Sequence, residues 1–147
     1  MDPWAPKLIM VAIDGSDQSM RAANVGAAIA RQSGAKLHLV TVVRPPEGWW
    51  GIVGSPPPAE TLGNALSDAQ RAVIEKTIEA LDLSDIDYET FEEVGDPANQ
   101  LAASAESHNV DLLVIGQRGA GVVERLMVGS VADRLVHISR TPIMVIP

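Results

Sequence analysis

Four residues in the last third of the chain have the types and spacing of a phosphate site: Gly116, Gly119, Gly129 and Ser130. Gly121 adds another glycine close by, and Arg118 puts a fixed cation inside the same loop. Glycine lets the backbone take positive φ and lets a ligand approach the amides closely. The first amides of a helix have no partners within it, and the aligned peptide dipoles add partial positive charge there. Glycines that lead into a helix N-terminus therefore make an anion site, most often one for phosphate. The same glycines also fit a surface loop that merely turns the chain.

The elements around the loop are those such a site needs. Leu112-Leu113-Val114-Ile115 is an apolar run, preceded by Asp111 and stopped by Gly116, and reads as a strand buried on both faces. Ser130-Val131-Ala132-Asp133 has the spacing of a capping box, with Ser130 as N-cap and Asp133 reaching back. Val131, Leu135 and Ile138 then recur at helical spacing. The order is strand, glycine-rich loop, helix N-terminus. It is not a P-loop, because no Gly-Lys-Ser/Thr follows. It is not a Rossmann fingerprint either, because the spacing differs and it lies late in the chain.

A second piece of chain points to the same place. Lys7 to Ile13 reads as a buried strand, and Asp14-Gly15-Ser16-Asp17 ends it with turn residues. Ser16 or Asp17 is placed to cap a helix running to about Ser33, with Met20, Ala23, Ala27 and Ala30 on its apolar face. Gly26 marks close packing, and Gly34 is placed as the C-cap. Leu37 to Val43 is a second strand, which His38 and Thr41 interrupt, predicting one partly wet face. Such a β-α-β unit has parallel strands and a right-handed crossover. Ligands of open parallel sheets sit at the carboxyl ends of the strands where strand order reverses. Asp14, Val42-Val43 and Gly116 all fall at such ends, so three separate segments converge on one crevice.

The remaining segments carry less chemistry. Residues 44–64 hold five prolines, four glycines and the pair Trp49-Trp50, which makes a long loop. It reads either as a lid whose tryptophan stacks on a ligand or as an insertion packed on its own scaffold. Ala59 to Leu81 is an amphipathic helix. Ile86 to Val94 alternates with period two, which predicts a half-exposed strand near a sheet edge. Gly95-Asp96-Pro97 opens a helix to about His108, whose ring is expected in solvent, and His137 is also expected to face solvent. Thr141-Pro142 precedes a last short strand, Ile143 to Ile146. An apolar, uncharged edge strand invites a second copy of the chain, giving a two-fold dimer.

Composition sets the outer bounds. A chain of 147 residues, 46% apolar, suits a single domain spanning 1–147 with a real core. No run approaches the ~20 apolar residues of a membrane span. The absence of cysteine excludes disulfides and thiolate metal sites, and the N-terminus has no signal-type region. A cytoplasmic protein with no membrane partner is expected. The net charge of −8 argues against a nucleic-acid binder. Residues 51–110 hold twelve acids against two bases, Arg71 and Lys76, so the acidic load lies away from the glycine loop.

The spacing Gly116, two residues, Gly119, nine residues, Gly129-Ser130 resembles the nucleotide-binding branch of the universal stress protein family. The Asp14-Gly15-Ser16 turn and the Pro142-Ile143-Met144-Val145 ending are similar too. The resemblance implies an α/β fold: a three-layer sandwich whose five-stranded parallel sheet has order 3-2-1-4-5, with helices on both faces, Rossmann-like and akin to the adenine nucleotide alpha hydrolases. It implies an ATP site, with AMP or ADP as variants, and Mg2+ or Mn2+ held mainly by the phosphates. Asp14 would contact adenosine and Val42 the base through its backbone. Gly116, Gly119, Gly129 and Ser130 would surround ribose and phosphates, with Val131 beside them and Arg118 at a position that is often basic. It further implies a homodimer through the last strand and a regulatory or sensor role in the stress response. The other readings are a nucleotide-independent dimeric interaction protein of the same fold and a slow ATPase. A dedicated enzyme of ATP is not indicated. His-x-Gly-His and Ser-Gly-Gly-x-Asp-Ser are both absent after the first strand, and His38, His108 and His137 form no Ser-His-Asp pattern.

Overall fold

A computed structural model describes residues 3–44, 59–118 and 129–147. Its strands are β1 (Leu8–Ala12), β2 (Lys36–Val43), β3 (Tyr88–Val94), β4 (Leu112–Gly116) and β5 (Ile143–Ile146). Its helices are α1 (Asp17–Ser33), α2 (Ala59–Ala80), α3 (Pro97–Ser107) and α4 (Ser130–Ile138). All strand pairs are parallel and the sheet order is β3-β2-β1-β4-β5. Both the strand order and the layered architecture expected from the resemblance are present.

The layers follow from the pleat. Alternate residues of a strand face opposite ways, so a strand covered on both sides must be apolar at every position. Ile9, Val11, Leu37, Leu39, Leu112 and Val114 pack with Ala22, Ala23, Ala27 and Ala30 of α1 and Ile74 of α2. Met10, Val40, Leu113 and Ile115 face the other way, onto Ala98, Leu101 and Ala105 of α3 and Ala132 and Leu135 of α4. Each fully buried large apolar side chain contributes about 1.5–3 kcal/mol. The small residues of α1 let it lie close to β1. A Cβ on Gly26 would stand 2.5 Å from Val11 Cγ2, which accounts for the glycine inside a helix.

Local signals fix the joints. Ser16 caps α1, accepting the Ser19 amide at 3.1 Å. Gly34 ends the helix in the left-handed region at φ 74°, a conformation glycine adopts without penalty. Asp96 caps α3 with Pro97 in the first turn. Asp111 Oδ2 accepts the amides of Lys7 and Leu8 at 2.8 and 3.0 Å, tying the start of β1 to β4.

Three expectations change. Helix α2 already includes 59–64, so the end of the loop range 44–64 is helical. The Trp49-Trp50 pair lies outside the described residues. His38 and Thr41 do not mark a wet face, because both are 3% exposed. His38 is covered by Phe91 and His108, which come from distant parts of the chain. For the same reason His108 does not simply face solvent: its residue is exposed, but its ring packs on Phe91 and His38. His137 is exposed, as expected.

Candidate functional site

From β1 the chain winds outward to β2 and β3, then returns to place β4 and β5 on the other side. The reversal lies between β1 and β4, and in such a sheet the crevice opens beyond their carboxyl ends. A cleft of about 210 Å³ opens there. Its walls include Asp14, Val42, Gly116, Arg118, Gly129, Ser130 and Val131. Seven of the eight residues singled out in the sequence therefore line one cavity, and the eighth, Gly119, lies outside the described residues.

The turn after β1 is tightly organised. Asp14 Oδ1 accepts the Ser16 amide at 2.9 Å, which orients the carboxylate at the cleft edge. Gly15 has φ 84°, so the turn requires a residue free of a Cβ clash. Ser19 is buried, accepts the Asp14 amide at 3.3 Å and donates to the Ser16 carbonyl at 3.0 Å.

On the opposite wall, the capping box read from Ser130 and Asp133 is not formed. Gly129 is the N-cap of α4, with φ −63° and ψ 154°, and no side chain caps the helix among the described residues. Ser130 stands one position further in, and its hydroxyl is not engaged as a cap. The Gly129 amide donates to the Gln117 carbonyl at 2.7 Å, so it belongs to the scaffold and is committed away from any ligand. The Gly129 carbonyl accepts from Asp133 at 3.0 Å. The amides without acceptors inside the helix are those of Ser130, Val131 and Ala132, and all three residues line the cleft. The dipole of α4 thus ends at the cavity.

Arg118 supplies the cation. Its Nε is buried and has no hydrogen-bond partner among the described residues. A buried guanidinium N–H without an acceptor carries a desolvation cost that an anion in the cleft would relieve. Gly116 has a different explanation from the one its motif suggests. A Cβ there would meet Gln18 Cβ at 2.9 Å and the Gln18 backbone at 3.0–3.1 Å. Its bareness lets the first turn of α1 sit against the end of β4.

Sequence reasoning missed Ser19, Gln117, Pro97 and Leu101, which also line the cleft. Pro97 was findable, since α3 starts just past the carboxyl end of β3. Ser19 carries no pattern of its own. Among the described residues no group of three His, Cys, Asp or Glu side chains could hold a metal ion. No helix among them is long and apolar enough to cross a membrane.

An open parallel sheet wound both ways from its first strand, with a cleft at the reversal edged by a helix N-terminus, defines a doubly wound α/β protein. The profile described as the Universal stress protein family matches residues 6–147, and the chain belongs to that family. A universal stress protein of Thermus aquaticus is 32% identical over 141 residues, covering 95% of this chain and 98% of its own. A crystal structure of a universal stress protein in complex with cAMP superposes with a TM-score of 0.67 at 28% identity, covering 97% of this chain and 98% of that one. UspA of Lactobacillus plantarum superposes with a TM-score of 0.78 at 22% identity, covering 99% and 100%, which establishes the shared fold.

Proposed function

We propose that this chain is an adenine-nucleotide-binding member of the family, taking ATP with AMP or ADP as variants, and acts as a regulatory or sensor module in the stress response. One observation carries the reading: the uncapped N-terminus of α4 and the buried Nε of Arg118 line the same cleft. Largely apolar walls, with the Asp14 carboxylate at one edge and several donors on the opposite wall, suit a ligand with a phosphate tail. The 28%-identical relative in complex with cAMP supports an adenine nucleotide. In this reading Asp14, Val42 and Gly116 meet the nucleoside, and Gly119, Arg118, Gly129, Ser130 and Val131 frame the phosphates. Gly129 contributes room and not a donor. The divalent cation, Mg2+ or Mn2+, travels on the phosphates. Hydrolysis is at most slow in this reading and is not the role of the protein.

The first test is direct. Denaturing the purified protein should release an adenine nucleotide detectable by mass spectrometry, or calorimetric titration of the stripped protein should give saturable ATP binding. An empty protein that shows no heat with ATP, ADP or AMP overturns the reading.

A two-fold dimer through β5 belongs to the same proposal. β5 is an edge strand of four apolar residues, each only partly buried in one chain. A second β5 would cover that surface and pair its free backbone groups. Val145→Lys is expected to convert the dimer to a monomer in sedimentation, with far-ultraviolet circular dichroism unchanged. Persistence of the dimer would remove β5 from the interface.

A further inference from the structure

Away from the cleft, the far end of α3 rests on a cluster of titratable groups that the proposed function does not use. His38 on β2 is 3% exposed, and its ring centroid lies 4.7 Å from that of Phe91 on β3 and 5.5 Å from that of His108 at the end of α3. Its Nε2 is 3.3 Å from Glu89 Oε2. Among the described residues its Nδ1 has no hydrogen-bond partner. The same Glu89 oxygen is 3.1 Å from Lys36 Nζ. On α3, His108 Nδ1 donates to the Ser104 carbonyl at 2.9 Å, and Ser104 Oγ donates to Glu93 Oε1 at 2.8 Å. From β1 the register partner of His38 is Met10, which does not titrate.

We propose that His38, covered by His108, is the trigger of an acid-sensitive latch: neutral, it lets α3 rest against β2 and β3; protonated, it releases α3 and loosens the cleft wall it carries. The link to the cleft rests on the proposed function; the latch itself does not. A neutral His38 that donates from Nε2 to Glu89 leaves Nδ1 as a bare acceptor, which is a modest cost. Protonation turns Nδ1 into a buried charged donor with no acceptor, which costs far more. Glu89 pulls the other way, but its side chain is 53% exposed and shared with Lys36, so its attraction is screened and divided. Phe91 adds only a weak cation–π term. His108, with its ring centroid 5.5 Å away, also opposes a charge on His38.

Burial is accordingly the largest influence and holds His38 below its ordinary value of 6.5, with Glu89 opposing it. Because the folded state resists the proton, the unfolded chain takes it up first. The stabilisation is complete above the ordinary value and is lost as pH falls from there through the folded value. The loosened element matters for the cleft because Pro97 and Leu101 of α3 line it. So do Val40 and Val42, which share a face of β2 with His38.

Hydrogen exchange tests the latch separately from the nucleotide, and calorimetry tests its coupling to the cleft. In the ligand-free protein, hydrogen exchange of α3 amides is compared at pH 7.5 and 5.5 after correction for intrinsic rates. Protection of α3 should fall about threefold to tenfold in the parent, as expected for linkage to roughly one proton, and stay level in His38→Met. His108→Gln, at an exposed position, serves if the buried variant folds poorly, and should show a reduced fall. Equal loss of protection in the parent and these variants overturns the latch. Calorimetry with ATP at both pH values tests the coupling, and only the difference between proteins counts because ATP itself titrates. The parent should weaken more than His38→Met in proportion to the fraction of molecules with α3 released, about twofold where half are open. Equal weakening overturns the coupling. Absence of ATP binding at pH 7.5 instead defeats the proposed function, while the exchange result still decides the latch.

Discussion

The Gly129→Val variant is expected to fold like the parent and to bind ATP at least about a hundredfold more weakly, a loss of roughly 2.7 kcal/mol. At φ −63° and ψ 154°, residue 129 has extended backbone that valine adopts readily. Its amide can still donate to Gln117 and its carbonyl can still accept from Asp133, so the joint between loop and helix survives. The change is one of volume. Three heavy atoms enter the wall of the cleft beside the amides of Ser130, Val131 and Ala132. Hydrogen bonds to a charged group contribute about 1.5–3 kcal/mol each, so denying a phosphate one or two of them accounts for the magnitude. Calorimetric titration reads the affinity, and thermal melting of the ligand-free variant checks the fold. An unchanged affinity would mean that the phosphates lie elsewhere.

The second large effect is on stability. Gly116→Ala should destabilise the fold by about 2 kcal/mol, because its Cβ would overlap Gln18 atoms at 2.9–3.1 Å. Two of those atoms are backbone, so no rotamer change removes the clash, and α1 or β4 must shift. For a chain of this size that corresponds to a fall in Tm of roughly 6 °C. The midpoint in urea should fall with the slope unchanged, since one methyl group barely changes the surface exposed on unfolding. Nucleotide affinity should fall as well, because Asp14 and Ser19 at the start of α1 line the same cleft. A variant that melts like the parent would show that the helix packs more loosely on β4 than these distances state.

Much of this was legible along the chain because its causes are local. The runs at Leu112–Ile115 and Leu37–Val43 are apolar enough to identify buried strands, and the order of strands and helices leaves few topologies. Ser16, Gly34 and Pro97 mark helix ends through their own backbone chemistry. The convergence of Asp14, Val42, Gly116 and Ser130 follows from the rule that parallel strands present their carboxyl ends together. What stayed hidden depends on partners distant in sequence. His38 looks like an interruption until Phe91 and His108 cover it. Gly116 looks like a ligand contact alone until Gln18 is seen to require its bareness too. Gly129 and Ser130 compete for the cap, and the hydrogen bond from Gly129 to Gln117 decides between them.

Gln117 also donates its own amide to the Ile146 carbonyl at 2.6 Å. One residue thus fastens the loop before α4 with its oxygen and the rim strand with its nitrogen. A displacement of the end of β5 is felt, through Gln117, at the corner where α4 begins. The rim of the sheet and the mouth of the cavity are therefore mechanically in series: neither can be displaced far without dragging the other.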